Sequence, residues 1–134
     1  MRISFDANVL FSAFGHKGLC LKIFRECSLH HSIVISEYVI AELERNLAAK
    51  LDATPTELAE IRDQLESHCE IISGYEMLDF PIRDITDVPI LSGAVASKSD
   101  ILVTGDKDLL DLVDPPIKIL SPRELHDILF GDDD

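Results

Sequence analysis

Four acidic residues, spread along the chain but each placed beside an apolar run, carry the first chemical signal. Asp6 directly follows the run Arg2–Phe5, and Asp106 lies three residues beyond Val103, the end of the run Ile101–Val103. Asp87 opens the segment that leads into that second run. Glu42 follows a third run by about one and a half helical turns, on the side of Val39 and so against apolar positions rather than solvent. An acid at the end of a central apolar strand is costly without a partner, which makes Asp6 the hardest of the four to explain structurally. Asp87 and Asp106 also suit helix N-caps, and Glu42 also suits a partly buried or solvated helix position. Only as a set do they argue for a site. Asp84 and Asp108 are further ligand candidates, with a solvated loop and a helix surface as their plain alternatives.

Four carboxylates in one cleft are unfavourable unless a cation neutralises them or some take up protons. Hard oxygen donors without clustered Cys or His favour Mg²⁺ or Mn²⁺ over zinc. One such ion polarises a phosphoryl oxygen and acidifies a water, and two would clamp the attacking and leaving oxygens of a phosphodiester. Asn8, Ser36 and Thr104 are placed to orient the carboxylates by hydrogen bonds, though turn and cap duties explain them equally. His16 and Lys17, between Gly15 and Gly18, form a cationic patch able to meet phosphate, or simply a surface loop. His30, His31 and His68 show no ligand spacing. Cys20, Cys27 and Cys69 are odd in number, lack a C-x-x-C pair and read as core thiols, so no zinc site is expected.

The elements that must position these residues alternate. Strands are expected at Arg2–Phe5, Ser32–Ile35, Glu70–Ser73, Ile101–Val103 and Lys118–Leu120. Helices are expected over Gly18–Cys27, after Ser36 through Val39, Ile40, Leu43 and Leu47, and from Asp87 through Val95. A short helix should span Lys107–Val113, stopped by Pro115 and Pro116. Thr54-Pro55-Thr56-Glu57 and Ser121-Pro122-Arg123-Glu124 are capping boxes with proline at the first helical position, each opening a further helix. Tyr75 to Thr86 reads as a loop. Nearly all-apolar strands alternating with helices imply a three-layer α/β/α sandwich around a mostly parallel sheet. Ligands in such sheets bind beyond the carboxyl ends of the strands, which is where the acids fall.

With 134 residues and no Gly/Ser-rich linker, the chain is expected to form one domain over residues 1–131, with a frayed acidic tail at 132–134. No apolar run nears the roughly 20 residues that span a bilayer. Met1 leads straight into a strand without a charged leader, and the expected location is the cytoplasm. The balance of 12 basic against 25 acidic residues gives a formal net charge of -13, opposite in sign to most nucleic-acid binders. Residues 76–134 hold 14 of the acids and 5 of the bases. Contact with a nucleic acid must therefore use local basic groups or a bound metal.

The motifs together resemble those of PIN domains. Asp6-Ala7-Asn8-Val9-Leu10 is similar to the family's opening D-x-N motif, and Ser36–Leu43 (SEYVIAEL) to its S-x-x-x-x-x-E-L helix. Asp87–Ala94 (DVPILSGA) is similar to its D-x-x-I/L-x-x-A segment, and Val103–Leu110 (VTGDKDLL) to its closing T-x-D-x-D-L. The resemblance implies a sheet of about five strands and acidic metal ligands at Asp6, Glu42, Asp87 and Asp106. It also implies endoribonuclease activity on single strands, most often as the VapC-type toxin of a toxin–antitoxin pair, with dimerisation and inhibition by a small antitoxin protein. Two other functions compete with it. One is a phosphatase or phosphotransferase with Asp6 as covalent nucleophile, although Asn8 stands where a D-x-D motif would have its second acid. The other is an inactive PIN-like interaction module that binds a basic partner.

Overall fold

The computed structural model describes residues 1–131, so the expected tail at Asp132–Asp134 lies outside the described residues. Five strands, β1 (Arg2–Phe5), β2 (Ser32–Ser36), β3 (Cys69–Ile72), β4 (Ile101–Val103) and β5 (Lys118–Leu120), form one sheet in the order β3-β2-β1-β4-β5. Every pairing is parallel, with Ile3 opposite both Ile33 and Ile101. Parallel strands need covered faces. The helices α1 (Ala7–Gly15), α2 (Leu19–His30), α3 (Glu37–Leu51), α4 (Pro55–His68), α5 (Val88–Ala96), α6 (Lys107–Leu110) and α7 (Pro122–Phe130) supply the cover.

Strand periodicity divides the core in two. Ile3, Phe5, Ile33, Ile35, Ile101 and Val103 point to one face, where α1, α2, α3, α4 and α7 pack over them. Leu102 points to the other, against Leu91 and Ala94 of α5 and Leu109 of α6. The three residues of β4 are wholly buried, whereas the edge strands β3 and β5 are only partly so. The three-layer parallel sandwich expected from the apolar strands is the observed fold.

Both expected capping boxes form. Thr54 Oγ1 accepts from the Glu57 amide while Glu57 Oε1 accepts from the Thr54 amide, and Ser121 and Glu124 make the same exchange. Three local expectations are corrected, and one helix forms where no element was expected. Ala7–Gly15 (ANVLFSAFG) forms a helix that periodicity does not reveal, because a segment apolar on nearly all sides has no polar stripe. It is buried between α2 and α3, its apolar surroundings replacing the missing stripe. The helix expected over Lys107–Val113 ends at Leu110: Val113 is exposed, Asp114 adopts a left-handed φ of 49°, and the prolines follow. β3 runs one residue earlier than expected, and the loop after it ends in a 3₁₀ turn at Ile85–Asp87.

The sheet order sets the location of the site. The chain moves outward from β1 to β2 and β3, then crosses back to place β4 on the opposite side of β1. The carboxyl ends of β1 and β4 therefore flank the point where strand order reverses, and a crevice opens there.

Candidate active site

Asp6 leaves β1 at that crevice and caps α1, its Oδ1 accepting from the Val9 amide at 2.9 Å. Its own amide donates to the Val103 carbonyl, tying it to the end of β4. Thr104, the next residue after β4, donates through Oγ1 to Asp6 Oδ2, and the same Oγ1 accepts from the Asp106 amide at 3.0 Å. One buried hydroxyl thus joins two of the acids. Asp106 in turn caps α6, its Oδ1 accepting from the Asp108 amide at 2.9 Å.

Asp87 arrives from the other side of the crevice. The 3₁₀ turn delivers it, held by an amide that donates to the Asp84 carbonyl at 3.0 Å. Asp84 Oδ1 fastens the turn by accepting from both the amide and the hydroxyl of Thr86. Unlike Asp6 and Asp106, Asp87 makes no side-chain cap to its helix. It is nonetheless 4% exposed, and its Oδ2 is buried without a hydrogen-bond partner. Glu42 reaches in from α3 and carries a second buried, unpartnered oxygen, Oε2.

These residues enclose a polar hollow of about 130 Å³ lined by Asp6, Asn8, Glu42, Asp84, Thr86, Asp87 and Asp106, with Ile90 as the main apolar wall. Among the described residues, no Lys or Arg lines it. Asp87, Asp106 and Asp108 bring carboxylate oxygens within 4.8 Å of one another. Burial pushes the Asp6 carboxyl up to about 6, against the opposing hydrogen bonds from Thr104 and Val9, and repulsion from Asp106 and Glu42 adds to the rise. Burial likewise raises Asp87 to about 7, helped by a hydrogen bond shared with Asp106 and by the charges of Asp106, Asp84 and Asp108. Without a counter-charge, the hollow holds Asp6 and Asp87 against ionisation.

All four principal candidates therefore meet, and Asp84 and Asp108 adjoin them. Asn8 lies exposed on the rim. Thr104 touches two acids directly, whereas Ser36 spends its hydroxyl capping α3 at the Val39 amide. His16 and Lys17 are exposed in the turn between α1 and α2 and do not line the hollow. Thr86 and Tyr38 were not singled out by sequence. Tyr38 stands one turn before Glu42 on α3 and donates to the Thr86 carbonyl at 3.3 Å, a relation that the i, i+4 spacing encodes but does not announce.

The donor set fits a hard divalent cation: among the described residues, two buried carboxylate oxygens lack any donor and no basic side chain lines the hollow, and Asp6 and Asp87 resist ionisation. Replacing Thr104 with valine keeps the volume but removes the hydroxyl that Asp6 and Asp106 share. We expect metal affinity to fall by about 10- to 100-fold, read as the Mn²⁺ concentration needed for half-maximal thermal stabilisation. Wild-type Mn²⁺ affinity in Thr104→Val would show that the hydroxyl does not orient the acids.

Comparison with known proteins agrees with the geometry. No curated protein matches the sequence. Among solved structures, the chain is similar to VapBC2 from Rickettsia felis bound to a DNA fragment from their promoter, with 22% identity and a TM-score of 0.65 over 90% of this chain and 98% of that one. It is also similar to VapBC-1 from nontypeable Haemophilus influenzae, with 13% identity and a TM-score of 0.62 over 92% of this chain and 99% of that one. At these identities the likeness speaks for the fold. The PIN-domain family model matches residues 2–108, a span that takes in every acid of the hollow, and the chain belongs to the PIN-domain family.

Proposed function

We propose that this protein is a divalent-metal-dependent endoribonuclease, acting in the cytoplasm as the toxin of a toxin–antitoxin pair. The observation that carries the reading is the meeting of Asp6, Glu42, Asp87 and Asp106 from four separate segments, with two buried oxygens left for a cation. In this reading those four hold Mg²⁺ or Mn²⁺, with Asp84 and Asp108 as outer contributors. When bound, the cation supplies charge to polarise the phosphoryl oxygen and to acidify the attacking water. The chain's own part is positional. Thr104 fixes the relative placement of Asp6 and Asp106, Tyr38 and Asp84 fasten the turn that presents Asp87, and Ile90 limits solvent on one side.

RNA as substrate and homodimerisation are supported by the family resemblance, and a small antitoxin protein as partner by that resemblance together with likeness to the VapBC structures. The competing role of Asp6 as covalent nucleophile is disfavoured by Asn8, which stands where a D-x-D motif would have its second acid and lies exposed on the rim.

The test is cleavage of end-labelled single-stranded RNA, duplex RNA and single-stranded DNA in MgCl₂, MnCl₂ and EDTA. Cleavage of single-stranded RNA that needs either metal and stops in EDTA is expected. Turnover unchanged in EDTA would remove the metal mechanism. Metal binding without turnover on any strand would instead favour an interaction module.

A further inference from the structure

A protein with a net charge of -13 must concentrate positive charge somewhere if it is to hold RNA, and the sequence does so once. Between Asp6 and Glu26 the chain has no acid and three of its 12 basic residues, Lys17, Lys22 and Arg25. The fold turns that stretch into a surface. α1 and α2 pack as a hairpin, and all three cations are exposed on the turn and on the outer side of α2. They border an open hollow of about 310 Å³ whose far wall is Phe130, at the end of α7. Lys22 Nζ lies 4.4 Å from the centre of the Phe130 ring, and the His126 ring meets it tilted by 44° with centroids 4.9 Å apart, so the aromatic is held in place while it stays partly exposed. Among the described residues, Glu26 is the one acid on this wall.

We infer that this hollow is a second contact site for single-stranded RNA, with Lys17 and Arg25 pairing with backbone phosphates and Phe130 offering its ring to a base. Cations interleaved with an aromatic are the pattern by which single strands are held without sequence readout. The same hairpin links the site to the acids: Ala7 and Asn8 at the start of α1 border the acidic hollow, while Lys17 lies just past its end. α1 is 9 residues, so roughly 13 Å of helix separates the two, a distance that a short single strand spans. The acidic hollow repels the substrate until a cation is bound, and the basic hollow retains it meanwhile. Lys17, left outside the acidic hollow, thereby finds a place at the second.

This inference rests on RNA being the substrate, so its test is made independent of cleavage. Binding of a fluorescent single-stranded oligoribonucleotide is measured by anisotropy in EDTA over a series of salt concentrations. Lys17→Ala/Arg25→Ala is expected to bind about 10-fold more weakly, with a salt slope shallower by about 1.4, since each lost phosphate contact contributes about 0.7 for a single strand. Phe130→Leu should weaken binding while leaving the slope unchanged. Lys98→Ala/Lys118→Ala, which makes the same change in net charge on other exposed positions, should bind as the wild type does. Equal affinity and slope in wild type and Lys17→Ala/Arg25→Ala would overturn the site. So would a variant that loses affinity for poly-glutamate but keeps it for RNA, which would mark a protein-docking surface. Weakened RNA binding in a protein that cleaves nothing would leave the site standing and remove the nuclease reading instead.

Discussion

Asp87→Asn lowers metal-dependent RNA cleavage by about 10²- to 10³-fold with the fold intact. The substitution keeps the side-chain volume and removes one negative charge. Asp87 lends itself to this test because its side chain has so little structural duty: it does not cap α5, and its Oδ2 has no partner. The turn that carries it is held by Asp84, Thr86 and Tyr38, all of which remain. A loss of rate therefore reports chemistry rather than misfolding, and far-UV circular dichroism checks that distinction. Asp6→Asn should be at least as damaging to activity, but it is less specific, because both oxygens of Asp6 are also structural acceptors. The expected readout is single-turnover cleavage at saturating Mn²⁺. An Asp87→Asn protein that cleaves at the wild-type rate, with the same metal requirement, removes Asp87 from the ligand set.

In EDTA the protein becomes less stable as pH rises from about 4 to 7, and added Mn²⁺ reverses the trend. The native carboxyls of Asp6 and Asp87 hold their protons up to about 6 and about 7, whereas the unfolded chain releases them near 3.8. Between those values the native state binds more protons than the unfolded state, so unfolding free energy falls with pH. The contribution is fully present below the unfolded value and is lost as the native groups ionise. For Asp6 the shift corresponds to roughly 3 kcal/mol at most. Urea denaturation in EDTA at pH 5.0 and pH 7.5 measures the difference. Asp6→Asn should reduce it, since an amide has no proton to lose, and leave the share that Asp87 contributes. A metal-free protein that is equally stable at both pH values would show that the acids are not held against ionisation. Mn²⁺ binds the ionised site and should raise the midpoint at pH 7.5 far more than at pH 5.0, because binding to the native state alone is stabilising.

How much of this was legible in the sequence depended on whether local pattern and tertiary context agreed. The strands were readable because parallel strands buried on both faces are nearly continuous apolar runs, and β4, all three residues buried, is the clearest case. The capping boxes at Thr54 and Ser121 were readable because their chemistry lies within four consecutive residues. α1 was not, because its burial beneath α2 and α3 erases the polar stripe that periodicity depends on. For the site, strand ends located Asp6 and Asp106, and the family motifs supported Glu42 and Asp87. Sequence spacing could not show that Thr104 bridges two acids or that Ser36 is committed to its helix, since both hydroxyls stand at strand ends and only coordinates distinguish their partners. Nor could it place Phe130 against the cations of α2, because that contact joins the two ends of the chain.

The pairing of β1 with β4 also determines when the acidic hollow can exist. Thr104 and Asp6, joined by one hydrogen bond, are 98 residues apart in the chain. During synthesis the first strand emerges with β2 available as a neighbour, but its other edge must wait until β4 has been made. Contacts of such long separation form late and slowly. Asp6 alone lacks the neighbours that bury it, and the nascent chain has no hollow until β4 and the residues after it through Asp106 have been made. If the folded protein cuts RNA, this order of assembly keeps it inert beside its own message until β4 has paired with β1.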